Sequence, residues 1–416
     1  MKKVFFKTFG CRTNLFDTQV MTRSLKNYQV TQNENEADAI VVNSCTVTNS
    51  ADVSVRGYIN QMSRNNPKAK VYLSGCGTHT KGETLFENKN VFGVFGQSEK
   101  ESIDKWLQSD KRFFEPGDLS SLDEQLVEEF VGKSRAFIKI QEGCNFRCSY
   151  CIIPFVRGDA RSFTEERIVE QVTRLTQNGF GEFILTGTNI GSYGSDKRSS
   201  LAKLLKRLSQ IRGVRRIRLG SVEPIQISDE FKELLDEPWM SRHLHIALQH
   251  TSDEMLKIMN RRNRLKSDLE LFELIASHGY ALGTDFIVGH PGESEIVWQE
   301  AMQNIVRFPL THIHSFTYSV REGTASASMK GSINGNVSKL RREELVKTIE
   351  LNNLDFRKRN SSTALDVLIE GKKDGFWSGY DQFFNRVMVK AKEDLNGDWI
   401  NIENYETLKE FNYAEI

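Results

Sequence analysis

The sequence lacks an excess of either charge, since 56 Lys and Arg stand against 55 Asp and Glu among 416 residues. A positive electrostatic potential over the whole protein, which would attract nucleic acids, is therefore excluded. Any contact with nucleic acid would have to come from local basic patches. The sequence also lacks a run of 18 apolar residues, and no apolar stretch of signal-peptide length follows its first lysines. We therefore expect a cytoplasmic protein with no membrane partner.

Cysteine is scarce, and a reducing compartment favours metal binding or catalysis over disulfides for the six present. Three of them lie in EGCNFRCSYC (142–151) at the spacing C-x3-C-x2-C, with no fourth cysteine or histidine in that loop. A closed structural site normally uses four protein ligands, whereas three leave one coordination position open. Cys144, Cys148 and Cys151 therefore predict an open cubane iron-sulfur centre. A zinc site completed by a distant residue is the alternative.

The other three cysteines each end a β-rich apolar run: KVFFKTFGC at Cys11, AIVVNSC at Cys45 and KVYLSGC at Cys76. The 33 and 30 residues between them suit a strand, a crossover helix and a return to a neighbouring parallel strand. Ligands of open α/β sheets bind at the carboxyl ends of the strands, where the three thiols would converge. Taken singly, each cysteine also fits a small buried hydrophobe.

The strand pattern divides the rest of the chain. Residues 1–115 form the predicted parallel-sheet α/β domain, and the acidic stretch 116–133 is interpreted as a linker with some helix. In 134–360, amphipathic helices alternate with six strand candidates, which predicts a partial (β/α)6 barrel with the three-cysteine loop after its first strand. The strand candidates begin at Arg135, Glu182, Val214, His243, Gly283 and His312. Short runs separated by turns in 361–416 predict a small antiparallel β-barrel.

The three-cysteine loop, with Tyr150 before its last cysteine, resembles the radical S-adenosylmethionine (SAM) superfamily. The resemblance implies a 4Fe-4S cluster on Cys144, Cys148 and Cys151, whose open iron binds SAM and whose electron cleaves it to a 5'-deoxyadenosyl radical. TFGCRTN, NSCTVTN, SGC and IKIQEGCNFRCSYCIIPFVRG together are similar to the methylthiotransferases of that superfamily.

Membership would imply a second, auxiliary 4Fe-4S cluster on Cys11, Cys45 and Cys76. It would also imply two SAM molecules per turnover, one as methyl donor and one as radical source. External partners would be an electron donor of flavodoxin or ferredoxin type and a sulfur donor, and we expect a monomer. The end of the chain resembles the TRAM module, an RNA-binding barrel. Its six Lys and Arg against eleven Asp and Glu after residue 365 argue against a broad phosphate surface.

The positions of other residues in the sequence suggest, less strongly, which of them bind SAM or RNA. Strand ends and the family motifs suggest that Tyr150, Thr186, Gly187, Asn189, Glu223 and Gln249 bind SAM, although ordinary βα loops explain several equally well. Arg157, Arg261 and Arg262 are candidates for contact with substrate RNA, against the alternative of a solvated helix face. The paired histidines His243/His245 and His312/His314 are interpreted as structural.

The substrate prediction depends on short sequence motifs that differ between the branches of the family. NSCTVTNSAD, IKIQEGCN and ILTGTNIGSYG resemble the branch that adds a methylthio group to C2 of N6-threonylcarbamoyladenosine at tRNA position 37. Rival substrates are N6-isopentenyladenosine in tRNA and an aspartate of a ribosomal protein. From another class, a non-catalytic iron-sulfur or zinc protein that senses redox state and binds RNA remains open.

Overall fold

The computed structural model describes residues 1–128, 130 and 133–416. Its N-terminal part alternates strands with helices. The elements are β1 (Lys2–Thr8), α1 (Arg12–Arg23), β2 (Tyr28–Val30), β3 (Ala39–Ser44), α2 (Asn49–Asn65), β4 (Lys70–Gly75), α3 (Gly82–Glu87), β5 (Gly93–Phe95), α4 (Ile103–Leu107) and β6 (Phe113–Glu115).

The six N-terminal strands form one parallel sheet in the order β2-β1-β3-β4-β5-β6. Successive residues of β3 face opposite layers: Val42 packs in the core under α2, and Val41 packs on the other face with Tyr72. Since β1, β3 and β4 are adjacent and parallel, their carboxyl ends meet at one edge of the sheet. This confirms the predicted parallel-sheet domain.

The acidic linker runs across the molecule without a helix in its described residues, 116–128, 130 and 133, which contradicts the helix expected there. Tertiary contacts hold it in place: the backbone N–H of Val127 donates to Gln171 Oε1 at 2.8 Å, and Asp123 is buried against Lys100 and Lys139. Residues 129, 131 and 132 of the predicted linker lie outside the described residues. The domain boundaries drawn from the sequence stay predictions.

The central part contains a barrel whose strands and helices alternate. The elements are β7 (Ala136–Glu142), α5 (Ile153–Arg157), β8 (Arg161–Ser162), α6 (Glu165–Gln177), β9 (Glu182–Gly187), α7 (Leu201–Ser209), β10 (Arg216–Leu219), α8 (Asp229–Lys232), β11 (His243–His245), α9 (Asp253–Ile258), α10 (Leu265–Ser277), β12 (Ala281–Val288), α11 (Glu295–Ile305), β13 (Leu310–Thr317) and α12 (Gly335–Arg359).

Six of these strands, β7, β9, β10, β11, β12 and β13, run parallel. A parallel bridge between Val222 and Ile246 connects the β10 side of the sheet to the β11 side. Helix α6 begins where Thr164 accepts a hydrogen bond from the backbone N–H of Arg167, and it buries Ile168 and Val172 as its periodicity predicts. The predicted six-stranded partial barrel is confirmed. The short antiparallel β8 beside β7 was not predicted.

The C-terminal part is a curled sheet that forms half of a barrel, in the order β17-β14-β15-β16-β19-β18. Its strands are β14 (Leu365–Lys373), β15 (Phe376–Tyr380), β16 (Arg386–Lys390), β17 (Trp399–Ile402), β18 (Glu406–Thr407) and β19 (Asn412–Glu415). Asp374 and Gly375 turn β14 into β15 with positive φ at both positions, as a tight hairpin requires. All neighbours are antiparallel except β16 and β19.

Across the residues that the structure describes, no helix combines the length and the apolar character needed to cross a membrane.

Candidate active site

The three N-terminal cysteines meet at one cavity of about 560 Å³ that lies between the parallel sheet and the barrel. Cys45 directly follows β3 and Cys76 directly follows β4, whereas Cys11 follows β1 after a short turn. Gly10 has a φ of +100°, and a Cβ there would lie 2.7 Å from the Cβ of Cys45. Gly75 has a φ of +85°, and its Cβ would lie 2.4 Å from Asn43 Oδ1. Both glycines are therefore needed for the chain to bring the thiols so close.

Burial makes two of these thiols, those of Cys45 and Cys76, poor anions by themselves. It raises the pKa of Cys45 to about 11 and raises that of Cys76 above its usual value. Arg157 counters this, because its Nε donates to Cys76 Sγ at 3.1 Å. A metal centre would supply the remaining positive charge, and the donor set of three clustered sulfurs with an N–H directed at one of them fits an iron-sulfur cluster.

Cys144, Cys148 and Cys151 lie on the loop between β7 and α5. Backbone hydrogen bonds shape the loop: Cys144 N–H donates to Gly158 O at 3.0 Å, and Cys151 N–H donates to Cys148 O at 3.1 Å. Burial raises the pKa of Cys151 to about 12, so this loop too would need a cation to hold thiolates.

Two side chains from the barrel approach the sulfurs of this loop. Asn189 Nδ2 donates to Cys144 Sγ at 3.6 Å, and Arg261 Nη1 donates to Cys148 Sγ at 3.7 Å. Such donors orient sulfur ligands and tune the centre that they hold. The loop therefore fits a cluster with three thiolate ligands.

A second cavity, of about 240 Å³, opens beside Cys151. Tyr150 and Gln249, both predicted to bind SAM, line this cavity together. Gln249 has a φ of +66°, a strained conformation for a residue other than glycine. Asp285 lines both the second cavity and the larger one, so the two spaces are neighbours.

The remaining SAM candidates are distributed differently. Thr186 and Gly187 line the larger cavity. Asn189 contacts Cys144, and Glu223 Oε1 accepts from Arg261 Nη1 at 2.8 Å. The structure thus brings Tyr150 and Gln249 into one space and leaves the other four around it. Their roles stay predictions.

Two of the three arginines predicted to contact RNA are interior residues. Arg157 is 2% exposed and donates to Cys76, Asp17, Glu142 and Asn14. Arg261 is 4% exposed and donates to Glu223, Asn263 and a backbone carbonyl. Guanidinium groups that are buried and bonded inside the protein are poorly placed to contact RNA phosphates on the surface, although Arg157 does line the larger cavity. RNA contact by these two residues stays a prediction.

Arg262 differs from these two. It is exposed, with its guanidinium 4.4 Å from the Phe146 ring centroid, and it stays a candidate for RNA contact.

Sequence reasoning missed a buried ion network that joins the N-terminal sheet, the linker and the barrel. Three cations and three carboxylates alternate in it: Lys100, Lys139, Arg157, Asp17, Asp123 and Glu142. Lys139 is fully buried, with its Nζ 2.6 Å from Asp17 Oδ1. The signal available in the sequence was the lysine inside the apolar strand AFIKIQE, because an unpaired buried lysine is rare.

The four paired histidines, to which no role was assigned, line the larger cavity from β11 and β13. Asp285 on β12 stands between the two strands, with His245 Nε2 at 3.0 Å and His314 Nδ1 at 3.6 Å from its Oδ1. Burial raises the pKa of Asp285, but these histidines outweigh it and hold the pKa below its usual range. Burial also lowers the pKa of His312 to about 3, so that this imidazole is neutral. The alternation on two strands was the available signal.

Comparison with known proteins identifies the class. Residues 138–305 match the radical SAM superfamily, and residues 3–96 match a family described as uncharacterized, UPF0004. The chain is similar in fold to the radical SAM methyltransferase TsrM from Kitasatospora setae, with a TM-score of 0.61 and 15% identity over 79% of this chain and 77% of that one. This is a radical SAM enzyme, a class that uses a 4Fe-4S cluster and SAM.

Two relatives define the family. A Helicobacter pylori (strain J99) protein named as a methylthiotransferase is 53% identical over 418 residues, which cover 100% of both chains. The threonylcarbamoyladenosine tRNA methylthiotransferase MtaB of Aquifex aeolicus is 35% identical over 382 residues, 88% of this chain and 92% of that one. The chain belongs to the methylthiotransferase family of radical SAM enzymes.

Proposed function

We propose that this enzyme inserts a methylthio group at C2 of N6-threonylcarbamoyladenosine at position 37 of tRNA. It uses two 4Fe-4S clusters, one held by Cys144, Cys148 and Cys151 and an auxiliary one held by Cys11, Cys45 and Cys76. It consumes two SAM molecules per turnover and depends on external electron and sulfur donors. When bound, SAM would supply the methyl group and the radical needed to attack an unactivated C–H bond. General acid-base catalysis does little to activate such a bond.

The observation that carries the proposal is that the cavities bordered by the two cysteine triads are neighbours. The N-terminal triad lines the larger cavity, and the other triad contributes Cys151 to the neighbouring cavity. Arg157 ends α5, directly after the three-cysteine loop, and donates to Cys76 Sγ. A substrate in the larger cavity would therefore lie between the sulfur source and the radical source.

The chain's own residues would bind and orient the reactants. Tyr150 and Gln249 form walls beside Cys151, where SAM would lie. The larger cavity, at about 560 Å³, is in the range that holds a nucleoside. Leu219 and Phe384, which lie among its walls, suit the apolar faces of a purine.

The polar residues of the larger cavity favour a polar substituent on the adenosine. Arg12 and four histidines line it, and the buried Nε2 of His243 has no hydrogen-bond partner among the described residues. An isopentenyl group would remove these donors from water without satisfying them, which costs free energy, whereas a threonylcarbamoyl group offers a carboxylate and carbonyls as acceptors.

Nucleoside mass spectrometry tests the proposal. Total tRNA from cells that lack the gene should contain N6-threonylcarbamoyladenosine without its methylthio derivative, and the intact gene on a plasmid should restore that derivative. An unchanged level of the methylthio derivative in the deletion strain would refute the substrate assignment. Loss of methylthio-isopentenyladenosine instead would establish the rival tRNA substrate. That rival merits the test because a Staphylococcus haemolyticus protein named for dimethylallyladenosine is 30% identical over 99% of this chain.

A further inference from the structure

We propose that Arg12 binds a carboxylate carried by the N6 substituent of the substrate adenosine and so selects an anionic substituent over an uncharged one. This inference rests on the proposed function and adds to it the residue that recognises the substituent. The guanidinium would form a charge-assisted, bidentate contact, the geometry for which arginine is suited.

The position of Arg12 is unfavourable unless an anion completes it. Arg12 is the first residue of α1, directly after Cys11, and the first turn of this helix contains no acidic residue. A helix N-terminus carries partial positive charge, so a cation there lacks the usual stabilisation. Its guanidinium lines the larger cavity, with the ring of Phe384 6.0 Å away.

Two neighbouring arginines of the cavity, Arg157 and Arg218, form ion pairs, whereas Arg12 forms none with the described residues. Arg157 pairs with Asp17 and Glu142, and Arg218 Nε donates to Glu182 Oε1 at 2.7 Å. Among the residues described by the structure, none forms a hydrogen bond or an ion pair with the side chain of Arg12. Within the described residues, the guanidinium of Arg12 therefore lines the larger cavity without a direct hydrogen-bond or ion-pair partner.

The acid that lines this cavity does not fill that role. Asp285 is held by His245 at 3.0 Å, by His314 at 3.6 Å and by Ser221 Oγ, which donates to it at 3.1 Å. These contacts keep the carboxylate on the β12 side and reduce its repulsion of an incoming anion.

The imidazole of His243 is a second polar group that could bond the same ligand. His243 is 8% exposed, lines this cavity and has a buried Nε2 without a partner among the described residues. Phe384, which lies 6.0 Å from Arg12, is 5.1 Å from the His243 ring, so the three side chains border one corner of the cavity. An ionic group with a hydroxyl or carbonyl beside it would satisfy both Arg12 and His243.

Binding, measured without turnover, tests the inference. The probes are anticodon stem-loop RNAs of one sequence that carry N6-threonylcarbamoyladenosine, its methyl ester or plain adenosine at the target position. Their dissociation constants are measured by fluorescence anisotropy at one salt concentration, with anaerobic, cluster-loaded, full-length protein and no SAM. We expect the natural protein to bind the acid about 10- to 100-fold more tightly than the ester.

Arg12→Met should bind acid and ester alike, with unchanged affinity for the adenosine RNA, and Arg12→Lys should retain part of the preference. Arg64→Met, at an exposed arginine near the end of α2, is the matched control and should keep the full preference. Iron content and circular dichroism check that each variant is loaded and folded. The coupling between side chain and carboxylate follows from the double-mutant cycle.

The outcomes separate the two proposals. If the natural protein fails to prefer the threonylcarbamoyl RNA over the adenosine RNA, the proposed function fails. If it prefers that RNA but binds the ester equally well, or if loaded Arg12→Met discriminates as the natural protein does, the inference about Arg12 is overturned and the proposed function stands.

Discussion

Cys144, Cys148 and Cys151 lie within eight residues on one loop, whereas Cys11, Cys45 and Cys76 follow three different strands of a parallel sheet. The loop triad is a local structure, shaped by backbone hydrogen bonds and by two side chains that reach it from the barrel. The sheet triad exists only when β1, β3 and β4 pair in register. Two sets of three thiols thus depend on the fold to very different degrees.

The buried ion network connects these two regions. Asp17 lies on α1, behind Cys11, and Glu142 ends β7, two residues before Cys144. Lys139 and Arg157 each contact both carboxylates. Paired charges in the interior therefore link the two triads, beside the apolar contacts of α1 with the barrel core.

The largest effect should come from the loop triad. Cys148→Ala removes one of three ligands for the proposed SAM-binding cluster, so reductive cleavage of SAM to 5'-deoxyadenosine should be abolished. About half of the protein-bound iron should remain, since the sheet triad is untouched. Chromatography of the nucleoside product and iron analysis measure the two effects. Continued production of 5'-deoxyadenosine would show that the triads have been assigned to the wrong roles.

The sheet triad should respond in the complementary way. Cys45→Ala should leave SAM cleavage in place but abolish formation of the methylthio product, because the auxiliary cluster would be lost while the loop remains. The measurement is 5'-deoxyadenosine and modified nucleoside from the same reaction. Loss of both products together, in a protein that still contains half its iron, would argue against separate clusters.

The connection between the triads is tested by stability. Lys139→Met leaves Asp17, Asp123 and Glu142 in the interior with one cation fewer, and we expect it to lower the free energy of unfolding by about 3–5 kcal/mol. Urea denaturation of the apoprotein, followed by circular dichroism, measures the change. Lys390→Met is the matched control, because it breaks an exposed pair with Glu415 and should leave the midpoint where it was. Equal behaviour of the two variants would mean that the network does not stabilise the fold.

The smallest effect on the triads should come from the C-terminal sheet. Burial raises the pKa of Asp381 to about 6, above its value in an unfolded chain. The folded protein therefore binds an extra proton between about pH 4 and pH 6, and the stability linked to this group is present below pH 4 and lost as pH rises through 6. Asp381→Asn should reduce that decline by about 3 kcal/mol and leave the iron content unchanged.

Urea midpoints across pH 4 to 7 measure this dependence. Asp398→Asn, at an exposed site directly before β17, is the control and should keep the decline of the natural protein. A variant at Asp381 with the original slope would show that another group titrates.

The triads also mark how far prediction from sequence reached. The C-x3-C-x2-C loop was recognisable because all three ligands lie in one short stretch, and the strand that precedes each of the other cysteines was recognisable from its apolar run. The burial of Arg157 and Arg261 could not be predicted, since a sequence does not distinguish an exposed arginine from one whose partners lie more than a hundred residues away or across the barrel. Asp17 gave no local sign that it would face Lys139, 122 residues later.

The sequence by itself determined the class of fold, the two groups of thiols and the family, because periodicity and short motifs are local properties of the chain. Only the tertiary structure decided that the buried charges between the cysteine triads are paired and that four histidines line the same cavity as three cysteines. It also decided that Arg12 lines this cavity with no hydrogen-bond or ion-pair partner among the described residues. Pairing and burial depend on which distant segments come into contact, and the energy of a charge inside a protein is set by those contacts.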